Sequence, residues 1–227
     1  MSTAVIIGGG EFPKKEYPRE LIRQADVIVC CDGNALKAFL RNRERIFKDN
    51  ERLPDAVVGD MDSMSPSLAK EYSRLLVRVE EQDDNDQTKA YHYVLEHFPE
   101  VDTIHFIAAT GKREDHTIGN LGLLMEYARS LPTCHPERIE GSLSIDMVSD
   151  YSTAFVVTDS CELVLGKGRR ISIFSPDNSL TIKSKGLTWP TGEVVFDNWW
   201  KASLNRTSED VVELELSHKS LVLIVVD

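Results

Sequence analysis

The sequence predicts two architectures in one chain: an α/β domain with a mostly parallel sheet, followed by an all-β sandwich. Up to about residue 131, apolar runs of strand length alternate with segments of helical period, the pattern of βαβ units. After Ser142 the texture changes to short alternating runs separated by Gly, Pro, Asp and Asn, with no helical period. The boundary is placed near residue 145, giving an N-terminal domain over 1–145 and a C-terminal domain over 146–227.

Taken in order, Ala4 to Ile7 is a first strand running into Gly8-Gly9-Gly10. The triplet does not continue as a dinucleotide-binding fingerprint, because Pro13 and two lysines intervene before a short helix from Pro18 to Ala25. Val27 to Cys31 is a buried strand ending at Asp32-Gly33-Asn34, and Ala35 to Arg43 is helical. Pro54 to Gly59 is the third strand. Ser65 caps a helix to Ser73 with Pro66 at its first position. Leu75 to Val79 is a fourth strand, leading through an acidic loop into a helix from Asp86 to His97, where Ala90, Tyr91, Val94 and Leu95 fall at helical spacing. Thr103 to Ala109 is a fifth strand, followed by a loop and a helix from about Thr117 to Ser130. A loop over 131–141 opens the linker. The second half offers strands at 143–148, 153–157, 161–165, 170–174, 180–183, 193–196, 211–216 and 221–226.

Composition narrows the function. The 227 residues carry a net charge of -11, with 41% hydrophobic and 28% charged side chains. An acidic surface disfavours non-specific binding to nucleic acid or anionic membrane, so no nucleic-acid or membrane partner is expected. No stretch approaches the roughly 20 apolar residues of a membrane helix. The opening MSTAVIIGGG has no basic segment and too short an apolar run for a signal peptide. Cys30, Cys31, Cys134 and Cys161 show no paired spacing and read as small core hydrophobes of a reduced compartment. A cytoplasmic protein is expected.

The stretch Val57-Val58-Gly59-Asp60-Met61-Asp62-Ser63 delivers two carboxylates to the tip of a buried strand, the edge where open α/β sheets bind ligands. If the chain stays extended, Asp60 and Asp62 point the same way. Two carboxylates about 4 Å apart repel by roughly 4 kcal/mol at an effective dielectric of about 20. Such a pair needs a cation, a shared proton, or distance and water, and magnesium fits the first option. An acidic turn after a strand accounts for the same residues without any ligand. Asp32, Asp60, Asp62 and Asp86 fall at strand or loop ends, with Lys89, Lys112 and Arg113 on the same edge. Acids for a metal and cations for an anion are the equipment of phosphoryl transfer. In the second half, Trp189, Trp199 and Trp200 stand near Ser203 and Asn205. They would suit a flat heteroaromatic ligand, though a Trp in a β domain is more often core.

These segments resemble the thiamine pyrophosphokinase family. The matching runs are Cys31 to Ala35 (CDGNA), Val57 to Ser63 (VVGDMDS), Gln82 to Ala90 (QDDNDQTKA) and Thr110 to Asn120 (TGKREDHTIGN). A weaker match is Gly186 to Trp189 (GLTW) followed by a Ser/Asn pair. The resemblance implies an N-terminal α/β domain, a C-terminal β-sandwich and a homodimer with sites between subunits. It implies transfer of the pyrophosphoryl group of ATP to the hydroxyl of thiamine, giving thiamine diphosphate and AMP. By the same resemblance Asp60, Asp62 and Asp86 would be catalytic and hold Mg2+. Asp32, Gln82, Thr88, Lys89, Arg113, Asp115 and Asn120 would lie around ATP, and Trp189, Ser203 and Asn205 around thiamine. Two departures stand out: Asn85-Asp86 replaces the family's Thr-Asp, and Leu204 splits its adjacent Ser-Asn. Competing expectations are a related pyrophosphotransferase or nucleotide hydrolase with another acceptor, and a non-catalytic thiamine diphosphate or nucleotide sensor.

Overall fold

A computed structural model describes residues 2–48, 51–131 and 143–227. Cys134 and nearly all of the linker expected over 131–141 lie outside the described residues. The chain divides into two compact units. The first is Met1–Asn120 with Met147–Asp150, and the second is Leu121–Asp146 with Tyr151–Asp227.

The first unit is built on five parallel strands, β1 (Ser2–Ile7), β2 (Val27–Cys31), β3 (Ala56–Gly59), β4 (Leu76–Arg78) and β5 (Val101–Ile107). Their spatial order is β5-β1-β2-β3-β4, so every strand tip falls on one edge. β2 and β3 are buried along their whole length, which is why they read as unbroken apolar runs rather than as alternation. The helices are α1 (Glu16–Gln24), α2 (Asp32–Phe47), α3 (Pro66–Glu71), α4 (Asp86–His97) and α5 (Glu114–Arg129), with a 3-10 turn at Ser73–Leu75. α4 starts where expected because the Asn85 side chain accepts from Thr88 N at 2.9 Å, an N-cap. Ser65 caps α3 in the same way, with Pro66 in its first turn.

One capping partner of α1 is remote in sequence. The carboxylate of Asp150 accepts the backbone N–H groups of Lys14 and Lys15 at 2.9–3.0 Å, just before the helix begins. This bond ties Met147–Asp150 to the first unit. The adjacent strand is β6 (Ser144–Val148).

The second unit is an antiparallel sandwich. One sheet runs β11 (Ala202–Arg206), β9 (Arg170–Phe174), β13 (Val222–Val226), β7 (Thr153–Val157), and the other runs β10 (Ile182–Lys185), β12 (Val211–Leu216), β8 (Cys161–Val164). Ile171, Ile173, Ile182, Phe196, Leu214 and Ile224 belong to one shared core. Two expectations fail here. Residues 193–196 are not a strand: Phe196 is buried, but Val194 N donates to Thr191 O in a turn. The strand over 202–206 was not foreseen, and its alternation is broken by a bulge. Ala202 pairs with Ile173 and Asn205 with Ile171, so β11 holds one residue more than its partner. Leu204 takes the strain with φ 61° and is 86% exposed.

Candidate active site

The tips of β2 and β3 meet the start of α4. α2 opens at Asp32 in the left-handed region, φ 61°, a conformation that costs about 1–3 kcal/mol and gathers at functional sites. Asp32 is buried, and its Oδ1 has no hydrogen-bond donor. Gly59 closes β3 and makes room for two acids. A β-carbon there would lie 2.9 Å from Asp86 Oδ1 and 3.2 Å from Asp32 Cβ. The Asp86 carboxylate accepts the Asp60 backbone N–H. Burial first, then the charges of Asp32 and Asp60, hold the Asp86 carboxyl above the usual range, while Lys89 opposes them. Asp32, Asp60, Asp86 and Lys89 are therefore one electrostatic group.

Asp62 stands differently. The extended course that would aim Asp60 and Asp62 together is not taken, because Met61 turns left-handed at φ 69°. Asp62 N donates to Asp60 Oδ1 at 2.9 Å, closing a tight turn, and Asp62 is exposed. Lys89 is buried, and its ammonium donates to Val79 O at 3.3 Å. Val79 N in turn donates to Gly59 O at 2.9 Å, so Lys89 fastens α4 to the strand ends beside the acids. Thr88 turns its hydroxyl to Asn85 Oδ1. Gln82 is exposed and donates to Glu80 O.

The loop between β5 and α5 carries the cations. Arg113 and Asp115, both exposed, are paired through Nε to Oδ1 at 3.0 Å and through Nη2 to Oδ2. Asp115 thereby steers the Arg113 guanidinium. α5 already begins at Glu114, so Asp115 lies inside the helix rather than at its cap. Lys112 donates to Gly9 O at 2.9 Å. The Gly8–Gly10 loop is spent on packing: Gly8 N and Gly10 N donate to Ile107 O and Ala108 O, and a β-carbon at Gly10 would meet Thr110 O at 2.3 Å. That leaves few of its N–H groups for a phosphate. His116 is exposed. Cys30 and Cys31 are free and buried, and burial pushes both thiols up, which suits inert core residues.

In the second unit Trp189, Trp199 and Trp200 are 60%, 54% and 52% exposed, so none is a core tryptophan. Asn205 is buried and clamps the Trp189 backbone, accepting its N–H at 3.2 Å and donating to its carbonyl at 2.6 Å. Ser203 is half-buried beside the bulge.

The donor set of the first unit is all oxygen, which suits a hard divalent cation. Among the described residues no three His, Cys, Asp or Glu groups close into a ready-made metal cage. An ion that shares its shell with substrate phosphates needs only one or two protein carboxylates, and the unpartnered Asp32 Oδ1 and the crowded Asp86 fit that demand. Residues that sequence reasoning passed over are Asp150, for which no local signal exists, and Asn85, whose capping signal was visible in Asn-Asp-Gln-Thr.

A parallel α/β unit with acids at its strand tips, followed by an antiparallel β-sandwich with exposed tryptophans, defines a protein of two parts, one α/β and one all-β. Residues 18–134 match the family described as thiamin pyrophosphokinase, catalytic domain, and residues 154–223 match its substrate-binding domain. The chain belongs to the thiamin pyrophosphokinase family. It is 29% identical over 139 residues to thiamine pyrophosphokinase 1 of Oryza sativa subsp. japonica, covering 55% of this chain and 52% of that protein. It is 31% identical over 121 residues to thiamine pyrophosphokinase 1 of Arabidopsis thaliana, covering 47% and 45%. These matches span about half the length of the curated relatives. Among solved structures, thiamin pyrophosphokinase from Candida albicans aligns with a TM-score of 0.74 at 17% identity, over 99% of this chain and 89% of that one. Thiamine pyrophosphokinase from Bacillus subtilis aligns at 0.73 and 16%, over 100% and 99%. At such identities the structural likeness speaks for the fold.

Proposed function

We propose that this protein transfers the pyrophosphoryl group of ATP, in one piece, to the hydroxyl of thiamine, releasing AMP and thiamine diphosphate. The observation that carries the reading is the meeting of Asp32, Asp60 and Asp86 around the side-chain-free Gly59. Membership of the family supports the choice of acceptor. The boundary between a nucleotide-binding half and a thiamine-binding half is placed near residue 145.

Asp32 and Asp86, with Asp60 alongside, would share the divalent ion, taken to be magnesium, with the substrate phosphates. When bound, that ion would draw charge off the phosphate oxygens. Lys89, buried beside Asp86 with ammonium hydrogens to spare after Val79, would neutralise a phosphate oxygen. Arg113 would leave Asp115 to do the same, since its fork fits phosphate as well as carboxylate. Asp62, anchored by its backbone to Asp60 with its side chain toward solvent, would accept the proton of the attacking hydroxyl. Trp189, held by Asn205, would offer its exposed face to the thiamine ring, which aromatic surfaces attract. A homodimer in the cytoplasm is the expected setting. The free, buried cysteines agree with a reduced compartment.

The test is a mass-spectrometric assay of purified protein with ATP, magnesium and thiamine. Thiamine diphosphate and AMP in equal amounts support the reading. AMP release that proceeds equally without thiamine, or no AMP at all, overturns it.

A further inference from the structure

A chain of side-chain amides crosses the edge of the first unit. Asn85 Nδ2 donates to Asn120 Oδ1 at 3.1 Å, and Asn120 Nδ2 donates to Ala109 O at 2.7 Å. At its other end Asn85 Oδ1 accepts Thr88 N at 2.9 Å and the Thr88 hydroxyl at 3.2 Å. The chain therefore runs from the first turn of α4 to the loop after β5. Asp86 and Lys89 are set by the first of these elements, and Lys112 and Arg113 ride on the second.

We infer that Asn85 and Asn120 are positioning residues, a strut that fixes the spacing between the acidic and the cationic side of the site. The inference rests on the proposed transfer and gives Asn120 a different role from the nucleotide contact implied by the family resemblance. A carboxamide offers two donors and one acceptor oxygen, and Asn120 spends both ends on protein. Its oxygen meets Asn85, and its nitrogen meets the carbonyl next to Ala108, a residue held left-handed at φ 55°. Ala108 O in turn accepts Gly10 N at 2.6 Å, so the anchoring loop is itself pinned. The departure at residue 85 also gains a physical reason. Asparagine caps a helix as well as threonine does, and its longer amide carries a second donor that reaches Asn120.

The strut makes a specific demand on kinetics. On this reading both amides are spent on protein rather than on substrate, so loss of the strut should lower kcat and leave the KM for ATP in place. The variants are Asn120→Ala, which removes both bonds, and Asn85→Ser, which keeps a capping oxygen but is too short to bridge. Each single variant should lose about tenfold in kcat, since misplacement by about 1 Å costs on the order of 10²-fold. Each should hold the KM for ATP within about twofold. The double variant should be no worse than Asn120→Ala, because one bridge is counted once. A rise in the KM for ATP at unchanged kcat would make Asn120 a ligand contact and end the proposal, as would effects that simply multiply. If wild-type protein makes no thiamine diphosphate, the transfer reading fails on its own. The same cycle in thermal midpoints then decides the strut: non-additive losses support it, additive losses overturn it.

Discussion

Gly59→Ala puts the heart of the site under the most direct strain. The added β-carbon would lie 2.9 Å from Asp86 Oδ1, 3.3 Å from Asp86 Cγ and 3.2 Å from Asp32 Cβ. Ordinary contact begins near 3.4 Å, so relief requires a shift of about half an ångström. β3 is buried along its length and hydrogen-bonded to β2 and β4, so the Asp86 side chain gives way first. Overpacking of this kind costs about 1–3 kcal/mol, and the φ of 159° at Gly59, which L side chains rarely adopt, adds backbone strain to it. At roughly 2–4 °C per kcal/mol for a chain of this size, the thermal midpoint should fall by at least about 2–4 °C. Catalysis should suffer more: about tenfold in kcat, given that a 1 Å error costs on the order of 10²-fold. The assay is steady-state thiamine diphosphate formation alongside a thermal melt. Gly9→Ala is the control, because nothing lies within 4 Å of its added carbon, and it should be neutral in both. Full kcat with an unchanged midpoint in Gly59→Ala would refute the claim that the missing side chain is what lets Asp32 and Asp86 approach.

Asp86→Asn should cut turnover by orders of magnitude and yet stabilise the metal-free protein. The raised Asp86 carboxyl penalises the fold once ionised, a penalty absent below the ordinary carboxylate range and growing as pH rises through the folded value. The midpoint of Asp86→Asn should therefore exceed wild type near pH 8 and match it near pH 3; a lower midpoint at both would sink the account. Asp150→Ala should cost about 1–2 kcal/mol through the uncapped start of α1, read as a lower urea midpoint with kcat unchanged. Trp189→Ala should raise the KM for thiamine far more than that for ATP, and equal rises would return Trp189 to a structural role. Asp227, which accepts hydrogen bonds from Arg170 and Arg169, has its carboxyl lowered to about 2, chiefly by the Arg170 side chain. The stability it adds is present above the ordinary value of 3.8 and lost as pH falls through about 2. Acid titrations of Asp227→Asn and wild type should differ above that window and converge below it.

How much of this was legible in sequence depended on whether the signal was local. α4 was readable to the residue because its polar start and its apolar period sit in one stretch, Asp86 to His97. The parallel strands were readable because burial on both faces leaves plain apolar runs. Strand β11 was invisible because the bulge scrambles its alternation, and Phe196 misled because a buried aromatic can reach a core from a turn. At the site, Asp32, Asp60, Asp86 and Lys89 could be named from strand-tip positions and resemblance. Their place on one edge could be read as well, but not the close approach of Asp32 to Asp86 or the turning aside of Asp62, which depend on the space at Gly59 and on the left-handed turn at Met61. The Asn85–Asn120 bond and the Asp150 cap join residues 35 and 135–136 positions apart, distances at which residue pattern carries no information.

The bulge at Leu204 acts like a frame correction in a coded message. An extra residue in a strand ordinarily flips every later side chain to the opposite face. Here the left-handed turn of one leucine absorbs the surplus, and Ala202, Asn205 and Thr207 all remain buried. The asparagine that grips Trp189 thus keeps its phase despite the inserted letter. Comparison of this chain with its relatives should accordingly open a single-residue gap at 204 and resume in step at 205.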